Sequence, residues 1–129
     1  MGRMSRRSAG DSRRETGRLG EQAADAFLRD GGYRIVARNW RCRRGELDLI
    51  AEHDDCLVFV EVRTRQFGGG FGTPAESVDH RKQRRIRQLA HIYLMMNPAE
   101  GRTVRFDVIA VQLERDGLVQ QLDHYRNAF

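Results

Sequence analysis

Apolar positions recur along this chain with two periods, and the switches between them mark the elements. Leu19, Ala23, Ala24, Phe27 and Leu28 repeat at helical spacing, which predicts a first helix over residues 17–29. Gly31-Gly32 stops it. Tyr33 to Trp40 alternates and reads as a strand, followed by a polar turn from Arg41 to Gly45. Glu46 to Glu52 and Leu57 to Arg65 read as two strands of a hairpin turning through His53-Asp54-Asp55-Cys56. Gln66 to Gly72, with four glycines and two phenylalanines, reads as a loop. Thr73-Pro74-Ala75-Glu76 has the form of a capping box. It predicts a long second helix to about Met96, with a break near Asp79 and a stop at Asn97-Pro98. Thr103 to Leu113 and Leu118 to Tyr125 complete the pattern as fourth and fifth strands. The order αβββαββ predicts an α/β fold, a mixed sheet flanked by helices.

Alternation within the hairpin has a chemical consequence. On the first strand Glu46, Asp48 and Ile50 share one face, opposite Leu47, Leu49 and Ala51. On the second, Phe59, Glu61 and Arg63 share a face, opposite Val58, Val60 and Val62. A turn centred between Asp54 and Asp55 sets Asp48 opposite Glu61 and Glu46 opposite Arg63. Directly opposed residues have Cβ atoms roughly 4.5–5.5 Å apart, and a one-residue slip would turn the charges onto the valine face. Two carboxylates so close repel unless one keeps its proton or a cation compensates. A hard divalent ion such as Mg²⁺ suits one or two carboxylates with water and phosphate oxygens. An ordinary ion network of Asp48 with Arg63 or Arg65 is the other reading. Glu46 is read either as an outer ligand of the site or as the partner of Arg63, and the pairing is the expectation.

Length and composition restrict the rest. The chain has 129 residues, enough for one domain, and no apolar run near the roughly 18 residues of a membrane span. Residues 1–15 read as a disordered basic tail and 16–129 as the domain. The N-terminus has no apolar stretch of a secretory signal. Cys42 and Cys56 fit neither a zinc spacing nor a disulfide framework, which points to a reduced, cytoplasmic setting. The net charge of +5 lies mostly in the first 18 residues, with six Arg against Asp11 and Glu15. Within the domain, Arg38, Arg41, Arg43 and Arg44 form one basic cluster, and Arg81, Lys82, Arg84, Arg85 and Arg87 another. Such clusters either attract phosphate backbones or are solvated surface.

Lys82 is the only lysine. It leads the stripe Ile86, Leu89, Tyr93, so it is expected to face the sheet, while Arg84, Arg87 and Gln88 lie off that stripe. Asp107 can equally cap, pair with an arginine or serve the site. His53, His80, His91 and His124 show no metal-ligand spacing. Trp40, Phe67 and Phe71 are candidates for stacking on bases, Trp40 being equally suited to a core. The glycines at 68, 69, 70 and 72 lack the Lys and Ser of a phosphate loop.

The segment from Gly45 to Ala51 with Phe59-Val60-Glu61-Val62-Arg63 resembles the D…ExK signature of the PD-(D/E)xK nuclease superfamily. The wider string is similar to the bacterial YraN-like family. It includes Gly20-Glu21-Gln22-Ala23-Ala24, Arg38-Asn39-Trp40-Arg41, Lys82, Arg105-Phe106-Asp107-Val108 and Asn127-Ala128-Phe129, and runs from about residue 17 to the C-terminus. The resemblance implies a restriction-endonuclease-like fold similar to archaeal Holliday-junction resolvases, which are often homodimers. It implies Asp48 and Glu61 as ligands of Mg²⁺ or Mn²⁺, with Glu21 joining them, and DNA as the partner. Position 63 is Arg where ExK enzymes carry Lys. A guanidinium cannot act as a base, although it can hold a phosphate oxygen. A metal-dependent nuclease, with Arg63 and Lys82 at the scissile phosphate, is therefore expected. The alternative is a non-catalytic nucleic-acid-binding protein that kept the fold.

Overall fold

In the computed structural model, which describes residues 9–66 and 78–129 (side chains from Arg13 onward), the expected order αβββαββ is realised. The elements are α1 (Ala9–Asp30), β1 (Arg34–Cys42), β2 (Gly45–His53), β3 (Cys56–Arg65), α2 (His80–Met96), β4 (Thr103–Leu113) and β5 (Val119–Tyr125). The five strands form one sheet in sequence order. Only β3 and β4 run parallel, and α2 lies in the crossover between them; the other neighbours are antiparallel.

Two apolar layers sandwich the sheet. Ala24 and Leu28 of α1 pack on Leu49, Ala51, Val58, Val60, Ile109 and Val111. Ile86, Leu89, Ala90 and Tyr93 of α2 pack on Leu47, Ile50, Leu57, Phe59 and Val108. The stripe that begins at Lys82 is thus the buried face of α2. Trp40 belongs to this second layer, edge-on to Tyr93 with ring centroids 5.5 Å apart. No described helix is long and apolar enough to cross a membrane.

Helix α1 is described over Ala9–Asp30, so residues 9–15 of the expected disordered tail are helical. Arginine and glutamate are good helix formers. About two turns in from Ala9, the Thr16 hydroxyl accepts a hydrogen bond from Gln66 Nε2 at 2.7 Å, which ties this part of the helix to the end of β3. Residues 1–8 lie outside the described part, as do the loop of 67–72, with Phe67 and Phe71, and the expected capping box of 73–76. Helix α2 begins where a break was expected. Asp79 is its N-cap, accepting from Lys82 N at 2.9 Å.

Gly20 allows the close approach of α1 to β3. A Cβ there would stand 1.8 Å from Thr64 Oγ1. The neighbouring Glu21 is thereby brought to the edge of the hairpin.

Candidate metal and phosphate site

The expected hairpin register holds from His53–Cys56 to Leu49–Val60. Beyond it the β2–β3 ladder ends, and Asp48 Oδ2 accepts the next N–H, that of Val62, at 2.9 Å. A side chain therefore replaces a backbone carbonyl at this position. The alternation expected for β2 breaks here as well: Leu47, expected beside Leu49, packs with Ile50 in the α2 layer. On the other side of β2, Asn39 lies between the pairs Arg38–Leu49 and Trp40–Leu47, with φ +49°. That left-handed conformation is tolerated by Asn better than by other side chains. The sheet is thus distorted on both sides of Asp48.

Asp48 and Glu61 come together at this opening. Burial and the neighbouring Glu61 push the Asp48 carboxyl up to about 8; Glu21 adds to the rise, and the Val62 N–H and Lys82 oppose it. Glu61 is 7% exposed. Its Oε1 lies 3.3 Å from Lys82 Nζ and 3.8 Å from Arg63 Nη1. Burial, with Glu46 and Glu61 nearby, also raises the Glu21 carboxyl, against the pull of Arg41. With its amide assigned from its hydrogen-bonding partners, Asn39 donates to both Glu21 oxygens at 3.1 and 3.2 Å.

Glu46 does not pair with Arg63. It sits directly across β1–β2 from Arg41 and binds it at 2.9 Å. The reason is the early end of the β2–β3 ladder, which leaves Arg63 free to turn to Glu61. Arg38 is paired with Asp25 on α1, which also holds Arg29 at 2.6 Å. Arg43 and Arg44 are exposed at the β1–β2 turn.

Two cavities flank the carboxylates and share Arg63. One, of about 430 Å³, lies between α1 and the end of β3, with Arg13, Glu21, Arg63 and Arg65 in its wall. The other, of about 520 Å³, lies between β3 and the start of α2 and is lined by Arg63, Asp79, Arg81, Lys82 and Arg85. Arg38, Arg43, Arg44 and Arg84 line neither cavity.

The donor set fits a hard divalent ion in one form only. Among the described residues no three His, Cys, Asp or Glu side chains stand together closely enough to cage an ion. Asp48 and Glu61 can serve as two carboxylate ligands, with water and substrate oxygens completing the shell. Excess negative charge, visible in the raised Asp48 and Glu21, is the condition such an ion relieves.

Asn39 escaped the sequence reading as a site residue. Its signal was an asparagine inside a strand pattern, a residue type that often marks a left-handed position. Asp107, left open between several roles, belongs to a different network. It is fully buried and binds Arg105, His124 and the Asn127 N–H at 2.7–2.9 Å.

Fold and site together define a mixed α/β protein with paired carboxylates at a distorted sheet edge, flanked by basic cavities. The chain belongs to the uncharacterised protein family UPF0102, whose model matches residues 20–111. A UPF0102 protein of Moorella thermoacetica is 49% identical over 118 residues, covering 92% of this chain and 98% of that protein. One from Pelotomaculum thermopropionicum is 49% identical over 119 residues with the same coverage. Another, from Symbiobacterium thermophilum, is 52% identical over 104 residues, covering 81% of this chain and 87% of that protein. The matched segment contains Glu21, Asn39, Asp48, Glu61, Arg63 and Lys82.

Proposed function

We propose that the protein is a Mg²⁺- or Mn²⁺-dependent nuclease of the PD-(D/E)xK kind, hydrolysing phosphodiester bonds in DNA. The observation that supports this most is the meeting of Asp48 and Glu61 where the β2–β3 ladder ends, with a single ammonium 3.3 Å from Glu61. Such an ion, when bound, lowers the pKa of its water and stabilises developing negative charge. The protein's own groups have separate tasks. Asp48 and Glu61 hold the ion, and Glu21 approaches from α1. Arg63, in the wall of both cavities, donates to phosphate oxygens on either side of the scissile one. Lys82, its ammonium 3.3 Å from Glu61, takes the role of the missing motif lysine in this reading, orienting water or neutralising charge in the transition state. Arg63 cannot exchange a proton. The free thiols Cys42 and Cys56 suit a reducing compartment, and we place the protein in the cytoplasm.

The test is cleavage of labelled branched and linear DNAs with Mg²⁺, Mn²⁺ or chelator. Parent protein should cleave only with metal, and Lys82→Arg should still bind DNA but lose most cleavage. If Lys82→Arg cleaves as fast as the parent while Glu61→Ala does not, Lys82 is only a phosphate contact. A second reading is a non-catalytic nucleic-acid-binding protein. It is favoured by the two cations already on Glu61 Oε1, which compensate that carboxylate without a metal. Salt-sensitive binding in chelator with no cleavage in any metal selects it.

A further inference from the structure

The cavity between β3 and α2 carries more positive charge than the carboxylates use. Four of its five described lining residues are cations, and Asp79 is the only acid. One oxygen of Asp79 is already committed to the N-terminus of α2, as the acceptor of Lys82 N at 2.9 Å. Lys82 and Arg63 reach Glu61. Arg81 and Arg85 form no ion pair or hydrogen bond with any described residue, yet both open into the same space. They are four residues apart on one helix, so their Cβ atoms lie roughly 5–6 Å apart. The cavity's about 520 Å³ is within the roughly 300–1,000 Å³ of small-ligand sites. None of its described lining residues is aromatic, so nothing among them would stack on a base or read its edge.

From this geometry we infer that the cavity is a pocket for a terminal phosphomonoester, which makes the protein a reader of phosphorylated strand ends. The inference rests on the reading of the site as one for nucleic acid, but it does not require cleavage. Charge and the number of free oxygens together distinguish a strand end from an internal linkage. Each guanidinium presents a fork of donors suited to two oxygens, and the Lys82 ammonium adds further donors. A phosphodiester has two non-bridging oxygens and one negative charge. A phosphomonoester has three and carries about −1.5 to −2 at pH 7. The monoester gives each fork and the ammonium an oxygen of its own and matches the surplus charge, whereas a diester shares two oxygens and one charge among the three cations. Lys82 joins the two regions, since it lines the cavity and touches Glu61; an end held there lies directly beside the paired carboxylates. Arg84, on the same helix and equally charged, lines neither cavity and supplies an internal control.

The experiment measures the affinity of the full chain, in chelator, for one duplex oligonucleotide in three forms: 5′-phosphorylated, 3′-phosphorylated and hydroxyl-ended. Inorganic phosphate serves as the competitor. One phosphorylated end should bind at least about tenfold tighter than the hydroxyl end, as expected for new charge-assisted hydrogen bonds, and inorganic phosphate should erase the difference. Arg81→Gln and Arg85→Gln should each bring the ratio towards one, whatever they do to overall affinity. Arg85→Lys should retain part of it, and Arg84→Gln should leave it unchanged. A ratio of one in the parent overturns the proposal, as does an equal loss from Arg84→Gln. Competition by inorganic phosphate with no preference for either phosphorylated end would reduce the pocket to a general anion site and also overturn it. Cleavage is scored separately with Mg²⁺. End preference without cleavage removes the nuclease reading and leaves the pocket, and cleavage without preference does the reverse.

Discussion

Two aspartates sit within the same sheet, and their surroundings are opposite. Asp107, fully buried on β4, receives Arg105 through two bonds of 2.8 Å, His124 at 2.7 Å and the Asn127 N–H at 2.9 Å. Arg105 is in turn fixed by the Tyr33 hydroxyl at 2.7 Å. Burial alone would raise Asp107, but these bonds hold it down at about 2. Asp48, on β2, receives one N–H and faces Glu61 and Glu21, so burial and repulsion carry it up to about 8. A buried carboxylate with all its acceptors filled is a structural element. One left short of donors and surrounded by like charge is poised for a cation.

Breaking the saturated network should have the largest effect. Asp107→Asn leaves Arg105 and His124 facing a neutral group, and removing one partner of a buried ion pair costs about 3–5 kcal/mol. Urea unfolding at pH 7 should show a loss of that order, and a loss under 1 kcal/mol would mean the network is dispensable. The sign with pH follows from the depressed value. Asp107 stabilises the fold above the ordinary carboxylate range, and that contribution is lost as pH falls towards about 2.

A smaller loss is expected from the site side. Gly20→Ala forces a methyl group into Thr64 and lifts α1 from β3. Overpacking of this kind costs about 1–3 kcal/mol, measurable as a lower Tm, and an unchanged Tm would refute the close approach. The smallest effect has the opposite sign. Because Asp48 is raised, the metal-free protein holds a proton there that the unfolded chain gives up. Its contribution is present below about pH 4 and is lost as pH rises towards about 8. Asp48→Asn keeps an acceptor for the Val62 N–H and removes the repulsion. In chelator at pH 8–9 it should therefore be more stable than the parent by about 1 kcal/mol, with the gain vanishing near pH 4. A destabilised Asp48→Asn at pH 9 would place Asp48 with Asp107 as a structural carboxylate.

The same contrast separates what could be read along the chain from what could not. Element order and the hairpin register depend on local alternation and turn chemistry, and both were legible. The α2 stripe correctly turned Lys82 towards the sheet. The break at Asp48 was not legible, because it comes from two distortions in different strands, the left-handed Asn39 and the early end of the β2–β3 ladder. That break moved Leu47 to the other face and gave Glu46 to Arg41 instead of Arg63. Asp107 was ambiguous for the same reason, since its partners His124 and Asn127 are 17 and 20 residues away in sequence. The part of α1 ahead of Gly17 was missed because a polar, arginine-rich segment has no apolar stripe to mark it, and the contact at its end, on Thr16, comes from Gln66.

Titration of the metal-free protein with Mg²⁺ or Mn²⁺, followed by calorimetry and thermal unfolding, tests the central claim most directly. Asp48 and Glu61 should bind one ion, and at a concentration 100 times its Kd the native state should gain about 2.7 kcal/mol. Glu61→Ala should abolish that gain and Asp107→Asn should not. If neither ion binds the native protein, even with DNA present, the paired carboxylates are not a metal site and the account fails.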